Sequence, residues 1–131
     1  MNQTNQEEVK LLDLQLITTL VYVGSLGLSI LLTYHDRAKL MNLNSPITDE
    51  QALDFSKFNR FLVLGLTLIY LYVNYKNVEL AKEKGKDLAP FHLQVTASEL
   101  STLSAIIVLY VVLKTAGEQY GFVIGAENPN L

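Results

Sequence analysis

Apolar residues fall into three blocks along this chain, roughly Leu14 to Thr33, Phe61 to Tyr75 and Leu100 to Leu113, with polar segments between them. Within the blocks, the runs Leu20 to Leu32, Phe61 to Val73 and Ala105 to Leu113 contain no charged side chain. A helix rises about 1.5 Å per residue and the hydrocarbon core of a bilayer is about 30 Å thick, so about 20 residues cross it. Each block reaches that length once its uncharged or singly polar flanks are added. A water-soluble three-helix bundle would load one face of every helix with charge, and these runs carry none. The expected fold is all-α: an integral membrane three-helix transmembrane bundle. It forms a single domain over residues 1–131, with spans at about 12–34, 58–77 and 95–115.

Local signals set the expected element boundaries. Residues 1–9 are rich in Asn, Gln and Glu and read as frayed, so helix 1 is expected from near Val9 to about Leu40. Glu7 and Glu8 leave the N-terminal region without the basic character of a secretory leader, and the first block is longer than a leader's apolar core. It therefore reads as a retained span. Met41 to Pro46 carries Asn and Pro and reads as a loop. Thr48 with Gln51 fits a capping box, and Asp49 and Glu50 suit the positive end of the helix dipole. No breaker follows until Gly85, so helix 2 is expected to run about 36 residues, or about 54 Å, and to project from the bilayer. Pro90 suits the first turn of helix 3 and Gly117 its C-cap, with Tyr120 to Ile124 as a short apolar patch in the tail. Gly65 and the Gly24-to-Gly27 stretch read as close-packing points between helices.

Each span carries one polar stripe. On helix 1, Gln15, Thr18, Tyr22, Ser25, Ser29 and Thr33 fall within an arc of about 80°. On helix 2, Ser56, Asn59, Thr67, Tyr70, Asn74 and Asn77 do the same. Helix 3 aligns Gln94, Ser98, Ser101 and Ala105. Lipid cannot satisfy hydroxyls and amides, so such stripes turn inward, and small side chains let backbones approach. The expected helix-packing residues are Ser25, Ser29, Thr67, Asn74, Ser98 and Ser101.

Three spans place the start of helix 1, the end of helix 2 and the start of helix 3 at one membrane face. Asp13, Asn74, Lys76, His92 and Glu99 are thereby candidates for an intramembrane polar cluster. A carboxylate held at such depth has a raised proton affinity unless it is paired. Glu99, with Asp13, is the candidate for carrying a proton or cation. Helix 3 beginning in the headgroup layer, with Glu99 at its surface, is the plainer alternative.

Charge and composition narrow the function. The net charge of −3 includes no basic run suited to nucleic acid. Cysteine is absent, which excludes disulfides and thiolate–metal sites. His35 and His92 are the only histidines. No metal site, cofactor motif, phosphate-binding loop or nucleophile elbow is present, and no catalytic residue is assigned. Lysines and arginines divide five and five between the two faces, so the positive-inside rule does not orient the chain. That tie also permits dual topology with antiparallel dimers. The expectation is a non-enzymatic, multi-pass protein of a bacterial plasma membrane. Its partners would be the lipid bilayer and either further copies of itself, as a homo-oligomer, or a larger membrane complex. The alternative is a small pore or ion/proton-coupled transport protein using Glu99, Asp13 and the hydroxyl stripes.

Overall fold

A computed structural model of the chain describes residues 2–115. They form three α-helices: α1 (Gln3–Leu40), α2 (Asp49–Glu83) and α3 (Ala89–Thr115). All three are long and apolar enough to cross a membrane. Gly117 and the tail patch Tyr120 to Ile124 lie outside the described residues.

Helix α1 begins six residues before the expected start. The Asn2 side chain caps it, accepting from the Asn5 N–H at 2.8 Å. A side-chain acceptor at the N-cap satisfies one of the orphan N–H groups of the first turn. The Glu8 carboxylate also meets Lys84, next to the end of α2, which ties the first turns of α1 to its neighbour. Asn and Gln content alone pointed to fraying, and this cap and this cross-helix pair reverse it.

Helix α2 follows its sequence signals closely. Thr48 and Gln51 form both halves of the capping box: Thr48 Oγ1 accepts from the Gln51 N–H at 3.1 Å, and Gln51 Oε1 accepts from the Thr48 N–H at 3.0 Å. The helix runs unbroken for 35 residues, about 52 Å at the usual rise and well beyond the hydrocarbon thickness. It ends where Gly85 takes a positive φ of 68°, a conformation only glycine adopts without strain. The Lys86 N–H then closes back on the Ala81 carbonyl at 3.0 Å.

Helix α2 is the middle element: α1 and α3 each pack along it and not on each other. Leu32 of α1 packs with Ala52 of α2, with Leu28, Ile47 and Phe55 around them. Leu53 of α2 packs with Val112 of α3. Large side chains such as Leu20, Ile30, Leu93 and Tyr110 point outward, which suits a chain whose solvent is lipid. The glycines do not act as close-packing points. A Cβ built on Gly24, Gly27 or Gly65 meets nothing within 4 Å. Helix approach instead falls to the neighbouring serines and alanines.

Candidate functional site

The polar stripes meet across both helix pairs. Between α1 and α2, Asn59 is only 1% exposed and is clamped by two serines one turn apart. Ser25 Oγ–H donates to Asn59 Oδ1 at 2.6 Å, and Asn59 Nδ2–H donates to Ser29 Oγ at 3.0 Å. The i, i+4 spacing of the serines makes this possible, because both lie on one face of α1. Nearer the other end, Thr19 Oγ1 and the Tyr70 hydroxyl share a hydrogen bond of 2.7 Å. Between α2 and α3, Asn74 Nδ2–H donates to Ser98 Oγ.

Not every stripe residue packs this way. Thr18 and Thr67 turn their hydroxyls onto their own helices, donating to the carbonyls of Leu14 and Leu64. Thr102, buried and absent from the expected stripe of α3, donates to the Ser98 carbonyl. Ser101 is exposed, beside a groove.

That groove runs along the spans between all three helices. Helix α2 is its floor, and α1 and α3 are its walls because they do not meet. Its volume is about 980 Å³. It runs from Asn77 and Phe91 at one end to Tyr22, Val63 and Ala105 near mid-span. Gln15, Tyr22, Asn77, Gln94, Ser101 and Ser104 line it, and their side chains make no hydrogen bond among the described residues. All six are uncharged. The groove therefore offers hydroxyl and amide donors and acceptors, all but Gln94 within the expected spans.

The five residues of the expected ionisable cluster are spread over separate contacts. Asn74 holds Ser98. Lys76 Nζ lies 3.3 Å from Glu79 Oε2 and above the Tyr72 ring. Glu99 accepts from the Tyr75 hydroxyl at 3.1 Å on the exposed face of the α2–α3 pair. Asp13 and His92 are exposed. Asp13, Lys76 and Glu99 form no ion pair with one another, and no group of three metal-ligating side chains exists among the described residues.

A second polar node, not anticipated from sequence, closes the α1–α2 hairpin. His35 is 2% exposed. Its Nε2 lies 2.7 Å from Asp49 Oδ1 and its Nδ1 lies 2.6 Å from Ser45 Oγ. A carboxylate only accepts, so Nε2 carries a proton; in the neutral ring Nδ1 then accepts from the Ser45 hydroxyl. Lys39 Nζ reaches the same Asp49 oxygen at 3.0 Å. The clue in the sequence was the short loop, which sets a histidine at the end of one helix opposite an acid in the first turn of the next.

The two acids of this node, Asp36 and Asp49, lie outside the spans and titrate in opposite directions. Lys39, and then His35, hold the Asp49 carboxyl below its ordinary value. Burial pushes Asp36 up to about 6 against the opposing pull of His35 and Lys39, and both its carboxylate oxygens are sealed without a hydrogen bond. A carboxyl whose folded pKa is raised stabilises the fold at low pH, and that contribution is lost as pH rises from 3.8 towards about 6. Asp36→Asn should therefore raise the melting temperature above pH 6 and leave it unchanged below pH 3.8. Thermal scans of both proteins across that range test this, and a stabilisation independent of pH would contradict it.

No family model, curated protein or solved structure matches this chain.

Proposed function

We propose that this chain is a non-enzymatic membrane protein that works as a homo-oligomer or as an accessory subunit of a larger membrane assembly, with the open polar groove as the seat of a further helix. The observation that carries this reading is the set of six unpartnered hydroxyl, phenol and amide side chains lining the groove, five of them within the expected spans and Gln94 just before the third. Hydrocarbon cannot hydrogen-bond them, and each polar group left unmet there is disfavoured by on the order of a few kcal/mol. A helix bearing its own Ser, Thr, Asn or Gln satisfies them and adds close packing, the two forces that drive association within lipid.

In mild detergent the protein should therefore run above its 14.7 kDa monomer mass or retain a partner. Ser101→Trp, which fills the groove from an exposed helix position, should weaken that association at least about tenfold, or about 1.4 kcal/mol. Light scattering with the detergent contribution subtracted is the direct measurement. A monomer with no retained partner for the unmodified chain would rule the reading out.

The same groove lends some support to a transport reading, since it brings hydroxyls and amides to mid-span. Glu99 and Asp13 add nothing to that reading, because neither lines the groove. Proton and small-cation leakage from reconstituted vesicles distinguishes the two functions: transport requires flux above that of empty vesicles.

A further inference from the structure

A second, smaller pocket of about 340 Å³ lies between α1 and α2, where both helices leave the expected hydrocarbon layer. Its lining includes the apolar Leu11, Leu14 and Leu80 and the Tyr72 ring. The same lining carries charges of both signs, Lys10 and Lys76 against Glu7, Glu79 and Glu83. Leu14, Tyr72 and Lys76 lie inside the expected spans at about 12–34 and 58–77, and Lys10, Leu11, Glu79, Leu80 and Glu83 lie just beyond them, so the pocket straddles the boundary of the expected hydrocarbon layer.

We infer that this pocket binds a glycerophospholipid whose headgroup carries both a phosphodiester and a primary ammonium, the ethanolamine class. Lys76 is already engaged by Glu79 at 3.3 Å and by the Tyr72 ring. Lys10, Glu7 and Glu83 ring the same pocket yet form no ion pair among the described residues. Both signs of charge therefore remain available at one site. A phosphodiester fits the two lysines, and a primary ammonium has three N–H donors for the carboxylates. A quaternary ammonium has no such donor. An anionic headgroup meets the lysines but also three carboxylates. The leucines and Tyr72 favour a lipid over the free headgroup compound, since they offer apolar contact that only the glycerol and acyl carbons can use.

The test reconstitutes the full chain in vesicles of equal parts phosphatidylethanolamine, phosphatidylcholine and phosphatidylglycerol. The protein is then extracted in mild detergent, and the retained lipid is counted by native mass spectrometry. Phosphatidylethanolamine should be retained about tenfold over phosphatidylcholine, a difference of about 1.4 kcal/mol. Glu7→Gln combined with Glu83→Gln should bring the two to parity and raise phosphatidylglycerol. Leu14→Trp, which fills the apolar part without altering charge, should remove retention of all three, and a circular dichroism spectrum matching the unmodified chain confirms that each variant folds. Equal retention of the two zwitterionic lipids by the unmodified chain overturns the inference, as does a preference for phosphatidylglycerol. So does an ethanolamine preference that survives the double substitution. Full displacement of the lipid by water-soluble phosphoethanolamine would likewise overturn it, by showing that the acyl region contributes nothing.

Discussion

His35→Ala should lower the stability of the α1–α2 hairpin by about 3 kcal/mol, the largest effect expected of any single change here: one charge-assisted and one neutral hydrogen bond vanish together, each worth about 1–3 kcal/mol. The imidazole joins α1, the connecting loop and the first turn of α2 by hydrogen bonds, through Ser45 Oγ at 2.6 Å and Asp49 Oδ1 at 2.7 Å. Its removal leaves the Ser45 hydroxyl without its ring partner. Lys39 still holds Asp49, so the N-terminus of α2 stays charged and capped and the loss is confined to the latch. Ser45→Ala, which removes only the neutral bond, should cost about 1 kcal/mol. Acid sensitivity gives a second readout. Asp49 has a folded pKa held below its ordinary 3.8, by Lys39 first and His35 second. Its contribution is present above that value and is lost as pH falls through the folded pKa. His35→Ala should shrink this acid-dependent loss without abolishing it, because the larger cause remains. Denaturant titrations of the three proteins at neutral and acidic pH measure both effects. Equal stabilities of His35→Ala and the unmodified chain would remove the latch from the account.

Asn59→Ala should destabilise the packing of α1 on α2 by about 1–3 kcal/mol through the loss of its hydrogen bonds to Ser25 and Ser29 and a cavity at a closed site. Asn59 is the amide that Ser25 and Ser29 grip from one face of α1. Its value is not the sum of two full hydrogen bonds. In lipid the separated helices also find partners for their polar groups, and measured couplings average about 0.6 kcal/mol per bond. A double-mutant cycle of Asn59→Ala with Ser25→Ala isolates that coupling, and the same cycle with Ser29→Ala isolates the second. Two couplings of about that size, with the remainder assigned to lost packing, are the expected result. A coupling indistinguishable from zero in both cycles would mean that the serines serve α1–α2 approach only by being small.

Period and length alone carried the architecture. Three apolar blocks, of spanning length once their polar flanks are added, yield three helices because, in hydrocarbon, the backbone of an isolated segment can satisfy itself only as a helix. Thr48, Gln51 and Gly85 marked the ends of α2 because capping and positive-φ chemistry are local and depend on a few adjacent residues. The polar stripes were equally legible, since which residues share a helix face follows from the 100° step between them. What each stripe touches was not legible. Ser25, Ser29 and Asn59 meet because α1 and α2 run side by side at a register no single helix encodes, while Ser101, on the same grounds of spacing, ends beside an open groove. The groove exists only because α1 and α3 both pack on α2 and not on each other. Relative rotation and register of helices are tertiary quantities, set by the sum of many weak contacts. The same limit explains the start of α1, where a cross-helix contact between Glu8 and Lys84 joins a local cap, and the empty space above Gly24, Gly27 and Gly65. It also explains the ionisable groups. Position along the helices brought Asp13, Lys76 and Glu99 to one end of the bundle, but helix rotation turned them to different neighbours. His35 and Asp49, on different helices, were brought together by the hairpin that closes around them.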